Sequence, residues 1–193
     1  RAHALGHPIV IDPVGVSGSS YRREKCLELM KIIHPTCIRG NYSEIQALLH
    51  NCGTVTGVDA AEDALVEAEE TDLPELMKQY AKENQMILVA SGEADLITDG
   101  SCVYRCHNGS PMMARITGSG CMSTVMLGAF LSAENSVESA VACCAFTGIA
   151  GELAAKETTA QKRGTMTFRN WFIDAVSLMT PEQLEHGTNV DWF

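Results

Sequence analysis

"PIVIDPVGVSGSSYRREKCLELMKIIHPTCIRGNYSEIQALL", residues 8–49, alternates between two periodicities. PIVID (8–12) is a short apolar run closed by an acid and a proline, the pattern of a buried strand stopping at a turn. SYRREKCLELMKII (20–33) places Cys26, Leu29, Met30 and Ile33 at helical spacing. PTCIRG (35–40) reads as a second strand. NYSEIQALL (41–49) then opens with Asn41, which can cap a helix, and carries Glu44 three residues on, a relative of the capping box. Strand, helix, strand, helix in this order predicts a parallel sheet with helices on its faces.

Residues 59–85 are acidic with a helical pattern, and TDLPELMKQYAKEN (71–84) reads as a capped helix. MILVAS (86–91) is a further buried strand. DLITDG (95–100), CVYRCHNG (102–109) and PMMARI (111–116) are strand-like pieces separated by Asp-Gly and Asn-Gly, and they predict an antiparallel edge. Three helices follow, at about 120–132, at about 136–156 and at FRNWFIDAVSLM (168–179), the last stopped by Pro181. No internal repeat or linker divides the chain, so residues 1–193 read as one domain.

Composition narrows the function. Hydrophobic residues make up 46% of the 193 residues, and mean hydropathy is near zero, as in a globular protein. A formal net charge of −10 argues against nucleic acid as a partner, which needs a basic surface. No apolar run approaches membrane-spanning length, VMLGAFL (125–131) being the best candidate, and RAHALGHPIV (1–10) has no signal-peptide core, so neither a membrane partner nor export is expected and the expected location is cytoplasmic. The eight cysteines lie in apolar contexts such as VACCAF (141–146) and read as reduced core residues. Cys102 and Cys106 lack a second pair at zinc-finger spacing. His34, His50 and His107 receive no functional role.

The chemistry is concentrated at strand ends. In ARITGSGCMSTVMLGAFLSA (114–133), Thr117, Gly118, Ser119, Gly120 and Cys121 precede or open a helix. This stretch reads either as a flexible connection with a buried thiol or as an anion site, where unpaired helix N–H groups and the helix dipole meet a phosphate. Asp12, Arg39, Asn41, Glu44, Ser91 and Glu93 occupy the other strand ends. Each alone reads as a turn or cap residue. Together they supply what a magnesium nucleotide needs: acids for a hydrated metal, cationic and hydroxyl groups for phosphate oxygens, and fixed amides for developing charge.

PIVIDPVGVSGSSYR, HPTCIRGNYSEIQAL, GVDA, SGEADLITDG and RITGSGC, with a late GTMTFRNWFIDAVSLMTPE, resemble in this order the hydroxyethylthiazole kinases, thiamine-salvage enzymes of the ribokinase-like superfamily. Cys121 in G-x-G-C is the discriminating position, since most ribokinase-like relatives carry Asp there. The resemblance implies a three-layer α/β/α fold with a mainly parallel sheet and an antiparallel edge. It further implies transfer of the ATP γ-phosphoryl group to the primary alcohol of 4-methyl-5-(2-hydroxyethyl)thiazole with Mg²⁺. Arg39, Ser91 and Thr117 are then expected to contact ATP, Asp12, Glu44 and Asn41 to hold hydrated magnesium, and Gly118 to line the substrate hydroxyl. The amides from Gly118 through Ser119 and Gly120 to Cys121 are expected to form the anion hole.

Cys121 could accept the alcohol proton, because a thiol at a helix start can ionise readily. A loose phosphoryl-transfer state depends mainly on positioning, so a dispensable base is equally compatible. The resemblance also implies a homotrimer with sites at subunit interfaces, and an N-terminal segment before PIVIDPVG that this chain is expected to lack. Two rivals remain: a hydroxymethylpyrimidine-type kinase and a catalytically silent nucleotide-binding subunit.

Overall fold

The computed structural model describes residues 1–51 and 73–193; GVDA and the acidic stretch up to residue 72 lie outside the described residues. In chain order the elements are β1 (Val10–Ile11), α1 (Ser20–Ile33), β2 (Cys37–Asn41), α2 (Tyr42–Asn51), α3 (Leu73–Asn84), β3 (Ile87–Ser91), β4 (Asp95–Thr98) and β5 (Val103–Cys106). They continue as α4 (Ser119–Ala133), α5 (Val137–Ala160), α6 (Thr165–Leu178), α7 (Pro181–Gly187) and β6 (Val190–Trp192). Helix α1 starts where Ser19 accepts from the Arg22 N–H and ends where His34 turns left-handed, at φ 41°, before Pro35.

The strands lie side by side in sequence order, parallel from β1 to β3 and antiparallel from β3 to β6. Strand periodicity divides their side chains between two faces. Ile38, Leu88, Ala90 and Leu96 pack with Met30, Ile45, Leu49 and Met77 from α1, α2 and α3. Cys37, Val89, Ile97 and Cys106 pack on the other face with Leu127 and Leu131 of α4 and Cys143 and Ala145 of α5. The result is the three-layer α/β/α arrangement that alternating strands and helices predict, with a mixed sheet whose antiparallel margin is broad. A smaller apolar cluster, with Phe168 and Phe172 at its centre, joins α5 to α6.

Three local expectations are corrected. PMMARI is not a strand: Met113–Arg115 is a 3-10 turn. The edge beside β5 is taken by β6, and Asn108 leads the chain away. Its amide donates to the Gly187 carbonyl at 2.8 Å and to Glu152 Oε1 at 3.1 Å, while its Oδ1 accepts the Asn189 N–H at 2.8 Å. Pro181 does not merely end α6; it opens α7 behind a Thr180/Gln183 capping box, a position that tolerates proline because the N–H there is unpaired anyway. Finally, α5 is long and apolar enough by composition to cross a membrane, although no uninterrupted aliphatic run marks it. Its hydropathy comes from small residues, and Ala140, Ala145, Ala150, Gly151 and Ala154 are buried against neighbouring elements, so it is the core helix of this fold.

Gly148 of α5 shows how close that packing is. A Cβ placed there would lie 2.5 Å from backbone and side-chain atoms of Asn108. Gly148→Ala is therefore expected to destabilise the protein by about 1–3 kcal/mol through overpacking, against the roughly 1 kcal/mol that helix propensity alone would return. Urea unfolding checks this: the midpoint falls with an unchanged slope, whereas a raised midpoint would show that the contact gives way freely.

Candidate active site

The parallel strands β1, β2 and β3 end at one margin of the sheet, where open α/β folds place their ligands. Asp12 follows β1, Asn41 closes β2, and Ser91 closes β3 in register opposite Asn41. Two hydrogen-bonded constellations fix these side chains.

The first is built on α2. Glu44 and Asn41 form a reciprocal cap: the Glu44 N–H donates to Asn41 Oδ1 at 2.8 Å, and the Asn41 N–H donates to Glu44 Oε2 at 3.0 Å. The other Glu44 oxygen accepts the Gly15 N–H at 2.8 Å and so ties the turn after β1 to α2. Gly15 has φ +76°, which favours glycine, and Arg22 fills the space beside it. Gly40 lets Pro13 and Glu44 close over β2, since an added Cβ would lie 3.1 Å from Pro13 Cγ and 3.3 Å from Glu44 Oε2. Ser91 Oγ donates to the Gly40 carbonyl at 3.1 Å. Tyr42 covers Gly92 and donates to the Ala94 carbonyl, holding the loop after β3 against α2.

The second constellation joins the sheet to α4. Arg39 Nη1 donates to the Gly120 carbonyl at 2.8 Å. Thr124 Oγ1 lies 3.1 Å from the same carbonyl and 2.9 Å from Asp12 Oδ2. Gly118, at φ +95°, turns the chain into α4, and the first intrahelical bond runs from the Met122 N–H back to the Gly118 carbonyl. The preceding N–H groups of Ser119, Gly120 and Cys121 therefore lack an intrahelical acceptor. Ser119 Oγ donates to the Met113 carbonyl at 2.9 Å, so its hydroxyl is structural. Met113 in turn fills the notch left by Gly151 on α5. Thr117 and Cys121 are exposed beside the turn.

Among the described cysteines only Cys121 is exposed. Burial pushes the thiols of Cys106 and Cys143 up, to about 12 and about 11, and raises Cys37 and Cys144 as well. These buried thiols are poor nucleophiles; Cys26 and Cys102 are half-buried, and Cys121 is the most exposed of the described cysteines. Beneath the site, burial pushes the Asp95 carboxyl up to about 6, while the Gly92 N–H, the Arg39 charge and the Cys144 thiol pull it down.

Among the described residues no three His, Cys, Asp or Glu side chains gather into a metal cage. Asp12 and Glu44 offer carboxylate oxygens, and Asn41 Oδ1 is committed to the cap and to Ser43 Oγ. Such a set fits a hard cation that keeps most of its water.

The placement of the predicted residues is therefore uneven. The structure links Asp12, Arg39 and Gly120 in one network, and Asn41 and Glu44 in another, with Ser91 hydrogen-bonded to the strand between them. Sequence reasoning missed Thr124, Tyr42 and Asp95. Thr124 lies four residues beyond Gly120, one helical turn on, which was the available signal.

Comparison with known proteins gives this geometry a family. The model of the "Hydroxyethylthiazole kinase family" matches residues 1–182. The chain belongs to the hydroxyethylthiazole kinase family. It is 35% identical over 193 residues to the hydroxyethylthiazole kinase of Clostridium acetobutylicum, covering 98% of this chain and 70% of that one. It is 38% identical over 177 residues to hydroxyethylthiazole kinase 1 of Methanosphaera stadtmanae, covering 88% of this chain and 62% of the relative. The solved hydroxyethylthiazole kinase of Pyrococcus horikoshii OT3 superposes with a TM-score of 0.81 at 25% identity, over 100% of this chain and 68% of that one. The chain thus spans roughly two thirds of these hydroxyethylthiazole kinases and shares their ribokinase-like fold. The family match takes in both constellations, from Asp12 to Thr124.

Asp95 generates a pH prediction. Its folded pKa, about 6, lies above the ordinary carboxylate value, so between those two pH values the folded protein holds more protons than the unfolded chain. Its contribution to stability is then fully present below that window and falls as pH rises through it. Asp95→Asn should remove this slope, with a urea midpoint at pH 7 equal to or above the parent's. A variant whose midpoint declines just as steeply between pH 4 and 6.5 would assign the slope elsewhere.

Proposed function

We propose that the protein transfers the γ-phosphoryl group of ATP to the primary alcohol of 4-methyl-5-(2-hydroxyethyl)thiazole, forming the thiazole phosphate of thiamine salvage. What carries this reading is the α4 amino terminus, opened by Gly118 and backed by the Arg39 guanidinium, in a chain of the hydroxyethylthiazole kinase family. The roles below extend that reading residue by residue.

Arg39, Ser91 and Thr117 contact the ATP phosphates. The N–H groups from Gly118 to Cys121 receive the charge that develops on the transferred group, assisted by the positive end of the helix. Gly118, lacking a side chain, leaves room for the substrate hydroxyl. Asp12 and Glu44 would hold a hydrated magnesium through its water, with Asn41 keeping Glu44 in place, and the ion would supply positive charge against the phosphate chain. The exposed Cys121 side chain stands near the reacting hydroxyl, whose proton passes to the Cys121 sulfur or to water as oxygen bonds to phosphorus and the bond to ADP breaks. Because the transition state is loose, positioning and charge carry most of the rate, and the thiol adds a smaller share.

A cytoplasmic location belongs to the same proposal, since ATP and a small alcohol are both met there. So does a homotrimer with interfacial sites, for which the exposed Val125, Met166, Ile173 and Leu178 supply apolar surface.

Incubation with ATP, Mg²⁺ and hydroxyethylthiazole, followed by product mass, tests the reading: a thiazole monophosphate and ADP are expected. Cys121→Ala should keep the fold and lower kcat by about 10²-fold, the low end for a positioned base, with the KM for ATP little changed. Phosphorylation of hydroxymethylpyrimidine in preference to the thiazole would move the assignment to that related kinase. ATP binding with no phosphorylated alcohol would leave a silent nucleotide-binding subunit.

A further inference from the structure

The hydroxyl of Thr124 has one hydrogen and two acceptors within reach, Asp12 Oδ2 at 2.9 Å and the Gly120 carbonyl at 3.1 Å. The Gly120 carbonyl already receives the charged Arg39 Nη1 at 2.8 Å. The carboxylate is the stronger acceptor and the shorter contact, so the hydroxyl hydrogen goes to Asp12. This contact joins residues far apart in sequence, the end of β1 and the second turn of α4. Among the described residues Asp12 Oδ1 has no protein hydrogen-bond partner, so one oxygen of the carboxylate is fixed and the other is left for a ligand.

We propose that Thr124 is a positioning residue of the phosphoryl-transfer site. Its hydroxyl holds the Asp12 carboxylate at a set distance from the α4 amino terminus, so that a magnesium held by Asp12 and the amides of Gly118 to Cys121 act on the same phosphate chain. The inference rests on the reading that Asp12 serves magnesium, and it assigns no contact between Thr124 and the substrates.

Thr124→Val keeps the β-branched shape and deletes the hydroxyl; Thr124→Ser keeps the hydroxyl and deletes the methyl. Thr124→Ala, a better helix former, repeats the deletion should the Val variant be unstable. Binding of ATP with Mg²⁺, and of ATP with EDTA, is measured by calorimetry on each folded variant, alongside kcat, KM and the Mg²⁺ concentration giving half-maximal rate. Losing a hydrogen bond to a charged group should weaken ATP binding in Mg²⁺ by about tenfold in Val or Ala, leave ATP binding in EDTA unchanged, and raise the Mg²⁺ requirement. Ser should restore the parent values to within about twofold. Equal binding in Val and parent, an equal loss with and without Mg²⁺, or a Ser variant as weak as Val would overturn the proposal. Should the parent bind ATP with Mg²⁺ but yield no thiazole phosphate, the kinase reading fails while the binding comparison still judges Thr124.

Discussion

The hydrogen bond from Arg39 to the Gly120 carbonyl is the joint on which the site is built. It runs from the middle of the parallel sheet to the first turn of α4, and it fixes how the anion-binding end of that helix meets the strand ends. Its geometry is costly on its own terms. A guanidinium at a helix amino terminus faces the positive end of the dipole, an arrangement disfavoured by some tenths of a kcal/mol or more. The same arrangement concentrates positive potential where a polyphosphate would lie. Local stability gives way to charge stabilisation, as is common at functional sites.

Around that joint the fold depends on close approach rather than on bulk. Gly40, Gly92 and Gly120 each stand where a Cβ would press on a side chain of the site: Glu44 and Pro13, Tyr42, and Arg39 respectively. The loops after β1 and β3 are thereby drawn against α2 and α4. Because the side chains they carry are also bonded to backbone groups, the site is held before any ligand arrives, which is the condition for electrostatic catalysis without reorganisation.

Much of this was legible in the sequence where local chemistry and tertiary context agree. SYRREKCLELMKII became α1 at its expected residues, and Asn41 with Glu44 made the expected cap, because both depend on neighbours a few residues away. Asp12, Arg39 and Ser91 stood out as polar residues closing apolar strands. PMMARI misled because its strand-like composition was overruled by Asn108, whose partners Glu152, Gly187 and Asn189 are remote in sequence. Thr124 escaped notice because a threonine within a helix is ordinary, and only the fold brings Asp12 to it. The membrane-length composition of α5 was hidden by the use of alanine and glycine in place of leucine.

The β5–β6 pairing settles a different matter, how the sheet avoids its own kind. Val103 and Phe193 exchange both backbone hydrogen bonds at 3.1 Å, and Arg105 lies over the Phe193 ring at 4.6 Å. An open β5 would offer a row of free N–H and C=O groups to any passing strand. In its place stands a three-residue strand bearing Asp191, which is hydrogen-bonded to His107 Nε2 at 2.8 Å. A margin of three residues with an acid at its centre is a poor template for strand addition, so β6 covers the edge that β5 would otherwise present.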